Sequence, residues 1–447
     1  MKRLIIGLSS ALGACAAVLA CSSDDTVAPP PRGGGSDGAS ADSGNGGDDG
    51  EVIDAGGDAG DGGRWLLLSI GDPAKTEAVA YNLSSRTVDG RLSYDGFGTT
   101  FVDDAADPSG AGSPKASLWN LEQQSDIVRR LDPNAPWQSG PSWNVRLEDR
   151  PAGGSSYADP VAVVSGPAGK AYVLRFNRNA LAVIDTTEQK DASAPVKTID
   201  LSRFVDPVDG DGIVDMTGAV YLPARKRLYV LLGNIDLKNV DPQGSFILCN
   251  AAKPRIVAID VASDTIVPAL DGGAGEALAF DGYNPVFNGL TYDVPRDRLL
   301  VLSAGCNDRS DAGTGALHKR QIDAIDPNTG AAETLLDLTS KGYPSARVRT
   351  DASHWAIGFG FGAEAYRWDV TSKSLGGAIP NALDVFAYDA RQSLVGTKTN
   401  FLADGGSSTS LVSIELGNGS VTTLGPVPFS STNQFPPGAV DYWSPPR

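Results

Sequence analysis

Histidine is scarce in this sequence, with two in 447 residues, and the common catalytic signatures are missing from its main part. His318 and His354 do not occur in HExxH or in a spacing that places two metal ligands on one face. Between Arg64 and Arg447 there is also no GxSxG, no CxxC and no phosphate-binding glycine loop. The usual sequence indications of hydrolases, thiol oxidoreductases and nucleotide-binding enzymes are therefore absent.

Basic residues are few as well, with 37 Lys and Arg against 54 Asp and Glu, a formal net charge of −17. About −9 of this charge lies in residues 22–63 and about −10 in Arg64 to Arg447, by simple counting of ionised side chains. An acidic body with no Lys or Arg cluster argues against nucleic acid or an anionic membrane face as the partner. It is compatible with cations and with simple solubility outside the cell, and we expect the protein to be a monomer.

The one long apolar run is at the N-terminus. Residues 1–20 combine a basic start, an apolar stretch and small residues before Cys21, which predicts an export signal rather than a membrane span. Val18 to Cys21, VLAC, resembles a bacterial lipobox, which implies lipidation of Cys21. Ser22, rather than Asp, follows, and by resemblance to Gram-negative lipoproteins this favours the outer membrane. The alternative is an ordinary secretory signal with an incidental cysteine.

Residues 21–63 contain almost no large apolar side chain and consist mainly of Gly, Asp, Ser, Ala and Pro. Such a segment cannot bury enough surface to offset its ordering entropy, so it is predicted to be a disordered tether. The expected folded domain is residues 64–447.

In that domain, short apolar strands alternate with Gly, Pro, Asp and Asn, and helical periodicity is hard to find. One strand type, ending in an acid or amide, recurs seven times: at Asn82, Asp132, Asp185, Asp260, Asp326, Asp369 and Glu415. Related strands precede and follow it, giving four strands per unit. The sequence therefore predicts an all-β fold, a seven-bladed β-propeller of four-stranded antiparallel blades.

The first unit begins directly with its Leu-rich strand at Trp65 and lacks a first strand. Gly438 to Trp443 has the form of that missing strand. We therefore predict that the C-terminal strand pairs with the first blade and closes the ring, which removes an exposed sheet edge.

Ala171 to Leu201 resembles the YVTN-type propeller repeat of bacterial surface proteins, in which an aromatic-Val strand, an Asn-rich turn and a Val-Ile-Asp strand follow one another. The resemblance continues through blades four and five and is weaker from Arg64 to about Ala158. It implies a propeller in a secreted or anchored bacterial lipoprotein and says little about the ligand.

The segment DPVDGDGIVD contains four carboxylates separated by breakers: Asp206, Asp209, Asp211 and Asp215. It resembles the second half of the DxDxDGxxD loop, although Pro207 stands where an earlier Asp would be. Ca²⁺ binds six to eight oxygens, and alternating Asp and Gly lets a loop bring carboxylates together. The segment predicts a calcium site; the alternative is a solvated turn between blades.

Outside the signal, the cysteines are Cys249 and Cys306, each following the Leu-rich strand of consecutive blades. Because an exported chain meets oxidising conditions, we predict a disulfide between them. Two separate buried thiols are the alternative.

The longest insertions are Asn234–Arg255 and Asn307–Gln321, between second and third strands. Long loops on a rigid scaffold often carry recognition, so we predict binding loops here, with neutral length variation as the alternative. The candidate residues are Arg255, Asp308, Arg309, Asp311, His318, Lys319 and Arg320.

Three functions remain open: a lipid-anchored binding module for an unknown protein or small ligand, a propeller enzyme, and a structural envelope protein. An enzyme of the lactonase, lyase or quinoprotein-like kind requires a metal or cofactor at the central channel. Since no paired acid and base is evident, the non-catalytic binding module is the leading prediction, with Ca²⁺ as the one cofactor suggested.

Overall fold

The computed structural model of the protein describes the chain from Arg64 to Trp443 with gaps. The described residues are 64–71, 75–103, 117–146, 149, 155–188, 194–240, 247–269, 275–308, 317–359, 365–379, 385–389, 393–401, 407–417, 419–426 and 439–443. The signal segment, Cys21 and the tether predicted from the sequence lie outside these residues. Among the described helical turns, none has the length and apolarity that a membrane span needs.

The described strands form seven antiparallel sheets, which we number as blades 1 to 7. Blade 1 contains β1 (Trp65–Gly71), β2 (Lys75–Asn82) and β3 (Thr87–Asp95), and blade 2 contains β4 (Gly98–Asp103), β5 (Ser117–Glu122), β6 (Ile127–Asp132) and β7 (Ala135–Asn144). Blade 3 contains β8 (Pro160–Ser165), β9 (Lys170–Arg175), β10 (Ala180–Asp185) and β11 (Lys197–Asp200). Blade 4 contains β12 (Met216–Leu222), β13 (Arg227–Leu232), β14 (Arg255–Asp260), β15 (Thr265–Val267) and β16 (Ala277–Ala279), the last two both pairing with β14.

Blade 5 contains β17 (Pro285–Asp293), β18 (Arg298–Asn307), β19 (Leu317–Ile325) and β20 (Ala332–Asp337), and blade 6 contains β21 (Pro344–Arg349), β22 (His354–Phe359), β23 (Ala365–Asp369) and β24 (Ser374–Ile379). Blade 7 contains β25 (Val385–Asp389), β26 (Ser393–Phe401), β27 (Ser407–Glu415) and β28 (Val421–Pro426). The described helical structure is three single 3-10 turns, Ser202–Phe204, Pro223–Arg225 and Val294–Arg296. The all-β seven-bladed propeller predicted from the repeat is confirmed.

The ring is closed by the C-terminal strand, β29 (Ala439–Trp443). It pairs antiparallel with β1 in the register Trp65↔Trp443 to Ser69↔Ala439 and is the first strand of blade 1. The same strand contacts β25 of blade 7 and β4 of blade 2, the first strands of its two neighbours. The predicted closure is therefore confirmed, and it leaves β1 paired on both sides.

The alternation of side chains in each blade explains why the blades form a ring. In β13, Leu228, Val230 and Leu232 pack against blade 3, whereas Tyr229 and Leu231 pack against blade 5. Successive side chains point to opposite faces of a strand, so a strand that is apolar throughout buries both faces. Seven apolar clusters, each lying mainly between two neighbouring blades, account for the seven junctions of the ring.

Because the four strands of a blade run antiparallel in sequence order, their connections alternate between two faces. We call the face with the second-to-third-strand and blade-to-blade connections the upper face, and the opposite one the lower face. The acids that end the third strands lie on the lower face and cap the turns there. Asp185, Asp260, Asp326 and Asp369 each accept a backbone N–H two residues ahead, at 2.8–3.0 Å.

Candidate metal centre and upper-face loops

The upper-face connection between β11 and β12 brings three of the four predicted metal ligands together. One carboxylate oxygen from each of Asp209, Asp211 and Asp215 lies within 4.8 Å of the others. The chain turns sharply here, since Gly212 and Asp215 have φ angles of +77° and +50°. Gly212 adopts that left-handed conformation without a steric penalty, which explains the residue type at this point of the turn.

Two oxygens of the cluster have no hydrogen-bond partner among the described residues. Asp215 is fully buried; its Oδ2 accepts the N–H of Ile235 at 2.7 Å, and its Oδ1 is unpartnered. Asp209 is 9% exposed; its Oδ1 accepts the N–H of Asp211 at 3.2 Å, and its Oδ2 is unpartnered. Asp211 uses both oxygens, toward the N–H groups of Ile213 at 2.9 Å and Leu237 at 3.3 Å. The cluster thus leaves two buried acceptors free.

Burial dominates the electrostatics of the cluster. It raises the pKa of Asp209 to about 7, with a further contribution from the Asp211 charge. Burial also raises the pKa of Asp211, against hydrogen bonds from Ile213 and Leu237, and raises that of Asp215 well above its ordinary value. Ionising all of several adjacent carboxylates in a low-dielectric site costs free energy, through desolvation and mutual repulsion. The cluster therefore favours binding of either a proton or a cation.

A fourth carboxylate, Asp236, comes from the β13–β14 loop and was not identified from the sequence. It is 8% exposed and packs against Gly210, where a Cβ atom would lie 2.9 Å from both Asp236 oxygens. Its Oδ1 accepts the N–H of Lys238 at 3.1 Å. No spacing rule links Asp236 to Asp211, because the approach depends on how two upper-face loops pack.

Asp206, the remaining predicted ligand, is used elsewhere. Its Oδ2 lies 3.1 Å from Arg255 Nη2 and 3.4 Å from the backbone nitrogen of Lys253. Its Oδ1 accepts the N–H of Val208. Asp206 therefore ties the connection to the start of β14 and is not part of the three-carboxylate group.

The predicted disulfide is confirmed. Cys249 and Cys306 are bonded, with an S–S distance of 2.07 Å across 57 residues of sequence. Backbone hydrogen bonds flank it, since Cys249 N donates to Asn307 O at 2.8 Å and Asn307 N donates to Ile247 O at 2.9 Å. The blade 4 loop is thereby fastened to the end of β18 in blade 5.

Four of the predicted binding-loop residues lie in strands and not in loops. Arg255 begins β14, and His318, Lys319 and Arg320 lie in β19, because the β18–β19 hairpin continues to Asn307↔Leu317. Long cross-strand pairing, rather than a free loop, accounts for this part of the insertion. Arg309 and Asp311 lie outside the described residues.

These residues also differ in what they offer a ligand. His318 Nε2 is 3.9 Å from Asp308 Oδ2, and both side chains are about half exposed. Lys319 Nζ is 3.8 Å from Asp281 Oδ1. Arg320 is 5% exposed and donates to Ala304 O at 2.8 Å, so it is a structural residue. The side chains of this set that reach the surface are therefore those of Asp308, His318 and Lys319.

Exposed aromatic side chains also lie on the upper face. Tyr157, in the β7–β8 connection, is 37% exposed, and Phe287, near the start of β17, is 39% exposed. Phe287 packs edge-on against Phe176 of the β9–β10 turn, with ring centroids 5.1 Å apart. Exposed aromatic residues near ordered loops are typical of recognition surfaces.

The second histidine lies on the lower face. His354 begins β22, and its Nδ1 is 2.9 Å from both oxygens of Asp351. Asp351 also accepts the N–H of Ser353 at 2.8 Å. The pair closes the β21–β22 turn and has a structural role.

No protein-family model matches the chain, and no curated protein matches it. Among solved structures, a putative 6-phosphogluconolactonase from Bacteroides fragilis is 10% identical, with 86% of this chain and 98% of that one covered and a TM-score of 0.48. Kuenenia stuttgartiensis hydrazine synthase is 15% identical, with 78% and 90% covered and a TM-score of 0.47. Dihydro-heme d1 dehydrogenase NirN in complex with DHE is 10% identical, with 86% and 75% covered and a TM-score of 0.44.

Proposed function

We propose that this chain is a lipid-anchored protein of the bacterial cell envelope whose propeller binds a protein or small ligand through its upper face, without catalysis. The VLAC motif and the acidic segment that follows it support an anchor and a spacer. The YVTN-type repeat of Ala171 to Leu201 supports the same setting, with the outer membrane as the expected location.

The binding function rests on one observation: the long connections, the disulfide and the exposed aromatic residues Tyr157 and Phe287 are together on one face. A cross-linked loop loses little conformational entropy when a partner binds, so its contacts contribute more fully to affinity. The enzyme alternative requires a metal or cofactor at the channel, and a metal held by carboxylates from several blades would favour it. Among the described residues, the three-carboxylate group comes from one blade-to-blade connection instead.

The anchor is tested by detergent phase partition of the expressed chain. Wild-type protein should enter the detergent phase after cell lysis, and Cys21→Ser should remain in the aqueous phase. Equal partition of both would contradict lipidation at Cys21.

The binding face is tested with two matched double variants. Tyr157→Ser with Phe287→Ser removes two exposed apolar groups from the upper face, and Val196→Ser with Val294→Ser removes two, 59% and 40% exposed, from the lower face. The full-length protein is immobilised and exposed to envelope extract. A partner retained by the wild type should be lost, by at least about tenfold, from the upper-face variant alone. Loss from the lower-face variant, or from both equally, would contradict the proposal.

A further inference from the structure

The geometry points to a Ca²⁺ site in the β11–β12 connection, formed by Asp209, Asp211 and Asp215, with the charge of Asp236 of the blade 4 loop close by. This set differs from the one predicted from the sequence, because Asp206 pairs with Arg255 and is not part of it. It does not depend on the proposed binding function, since ion binding is measured on the purified protein alone.

The two unpartnered oxygens are the observation that calls for a ligand. Asp209 Oδ2 and Asp215 Oδ1 are buried and accept no hydrogen bond from the part of the chain that the structure describes, whereas the other oxygen of each residue accepts a backbone N–H. Buried polar groups without partners are rare in folded proteins because each retains the cost of desolvation. A cation supplies both oxygens with a partner at once.

The spacing of the cluster suits calcium. Two ligands of one Ca²⁺ ion, each at 2.3–2.6 Å, lie at most about 5 Å apart. The three carboxylate oxygens, which all lie within 4.8 Å of one another, meet that limit. Mg²⁺ binds at 2.0–2.1 Å and limits the separation to about 4.2 Å, so the larger ion tolerates the whole range.

The local charge also favours a divalent ion. Lys238 lies nearby, but its Nζ donates to Gly210 O at 3.0 Å in an exposed position. The rival occupant is a proton held between Asp209 and Asp211. A proton removes one negative charge and leaves Asp215 Oδ1 unpartnered, whereas Ca²⁺ offsets two charges and reaches all three residues.

The ion would lie where two upper-face elements already meet, since Gly233 N and Asn234 N of the β13–β14 loop donate to Asp215 O and Val214 O at 2.8 and 3.1 Å. The β11–β12 connection carries Asp209, Asp211 and Asp215, and the loop carrying Asp236 continues to Cys249, which is bonded to Cys306. Calcium would therefore reinforce an existing link across the upper face from blade 3 to blade 5.

The test uses the purified full-length protein, treated with EDTA and then titrated with CaCl₂ at pH 7.5 by calorimetry. We expect one equivalent of Ca²⁺ to bind and the melting temperature to rise by about 3 °C at a calcium concentration 100-fold above the Kd. Asp209→Asn and Asp215→Asn should each weaken binding by at least about tenfold, because ligand charge sets calcium affinity. The matched control, Asp206→Asn, should keep the wild-type affinity.

The variants also show whether a lost response reflects unfolding. Asp209→Asn and Asp215→Asn each remove a buried carboxylate from the cluster. After EDTA treatment, both of these variants should therefore melt at or above the temperature of the wild type. No calcium heat from wild-type protein, with melting unchanged by EDTA, would overturn the site whatever the variants do. Loss of binding in Asp206→Asn with retention in Asp215→Asn would overturn the ligand set. Equal affinity for MgCl₂ would overturn the assignment to calcium.

Discussion

Carboxylates have opposite roles on the two faces of this propeller. On the lower face, Asp185, Asp260, Asp326 and Asp369 each end a third strand and accept backbone N–H groups of the turn, which contributes to a lowered pKa. On the upper face, burial raises the pKa values of Asp209, Asp211 and Asp215. Aspartate thus stabilises a turn where its carboxylate is exposed and accepts backbone N–H groups. Where several Asp side chains are buried together, their negative charges are not compensated.

The difference follows from how each face is specified. The same lower-face turn recurs in five blades, so the Asp that ends the third strand accepts the N–H two residues ahead in each of them. The upper-face connections differ in length and sequence, from two residues at 96–97 to twenty-two at 233–254. A surface that the repeat does not dictate is free to hold a ligand site, at a cost in local stability.

The largest expected effect comes from removing β29, the strand that closes the ring and so supports both faces. Deletion of residues 436–447 removes β29, leaves the inner edge of β1 unpaired and opens the ring. We expect a fall in melting temperature several times larger than that of any point substitution considered below, with faster hydrogen exchange on both faces. Removal of residues 444–447 alone, outside the β29 pairing, should leave melting unchanged. A truncated protein that melts like the wild type would contradict ring closure.

Removal of the disulfide should destabilise the upper-face loop of blade 4 and leave the lower-face turns unchanged. The double variant Cys249→Ser with Cys306→Ser frees a 57-residue loop and should cost about 2–4 kcal/mol in the free energy of unfolding. Hydrogen exchange should accelerate in residues 233–254 and remain unchanged in the lower-face turns. Reducing agent should reproduce the effect in wild-type protein and have none in the variant. Acceleration spread equally over both faces would remove the distinction between them.

Asp297 tests whether lower-face carboxylates stabilise as ionised groups. Partial burial alone would raise its pKa, but hydrogen bonds from Tyr292, Asn328 and Arg225 hold the pKa at about 2. Because the folded-state pKa lies below the unfolded one, this stabilisation is complete above about pH 4 and is lost toward pH 2. The Asp297 side chain is 41% exposed, so we expect about 1 kcal/mol or less.

The measurement compares denaturant unfolding of wild type and Asp297→Asn at pH 5, 3 and 2. The stability difference should be greatest at pH 5 and should shrink as the pH falls. A difference that is constant with pH would show that the carboxylate contributes by shape or by neutral hydrogen bonding, and the contrast between the faces would lose its electrostatic basis.

The sequence predicted most of the architecture because the fold is periodic. The seven strands ending at Asn82 through Glu415, the closing segment near Trp443 and the pairing of Cys249 with Cys306 all follow from repeated positions, and the structure confirms them. In blade 2, where the resemblance was weakest, the strand ending at Asp132 still marked the third strand correctly.

The candidate site was predicted less well because it is not periodic. The positions of Asp206 and Asp236 depend on how distant loops pack together. Asp206 pairs with Arg255, and the missing side chain at Gly210 leaves room for the Asp236 carboxylate. The extension of the β18–β19 hairpin through His318 to Arg320 was likewise not predicted. This cross-strand pairing goes beyond the repeat, so the spacing of the repeat does not indicate it. Contacts between distant loops require the folded ring.

The smallest expected effect isolates one repeated lower-face turn. Asp260 Oδ1 accepts the N–H groups of Ala262 at 3.0 Å and Ser263 at 2.8 Å, in an exposed setting. Asp260→Ala should lower the free energy of unfolding by about 1 kcal/mol or less, whereas Asp260→Asn, which keeps an acceptor, should cost only a few tenths. Chemical denaturation at pH 7 measures both. If Asn costs as much as Ala, the negative charge rather than the acceptor supports the turn, and the two faces would then differ only in how well that charge is compensated.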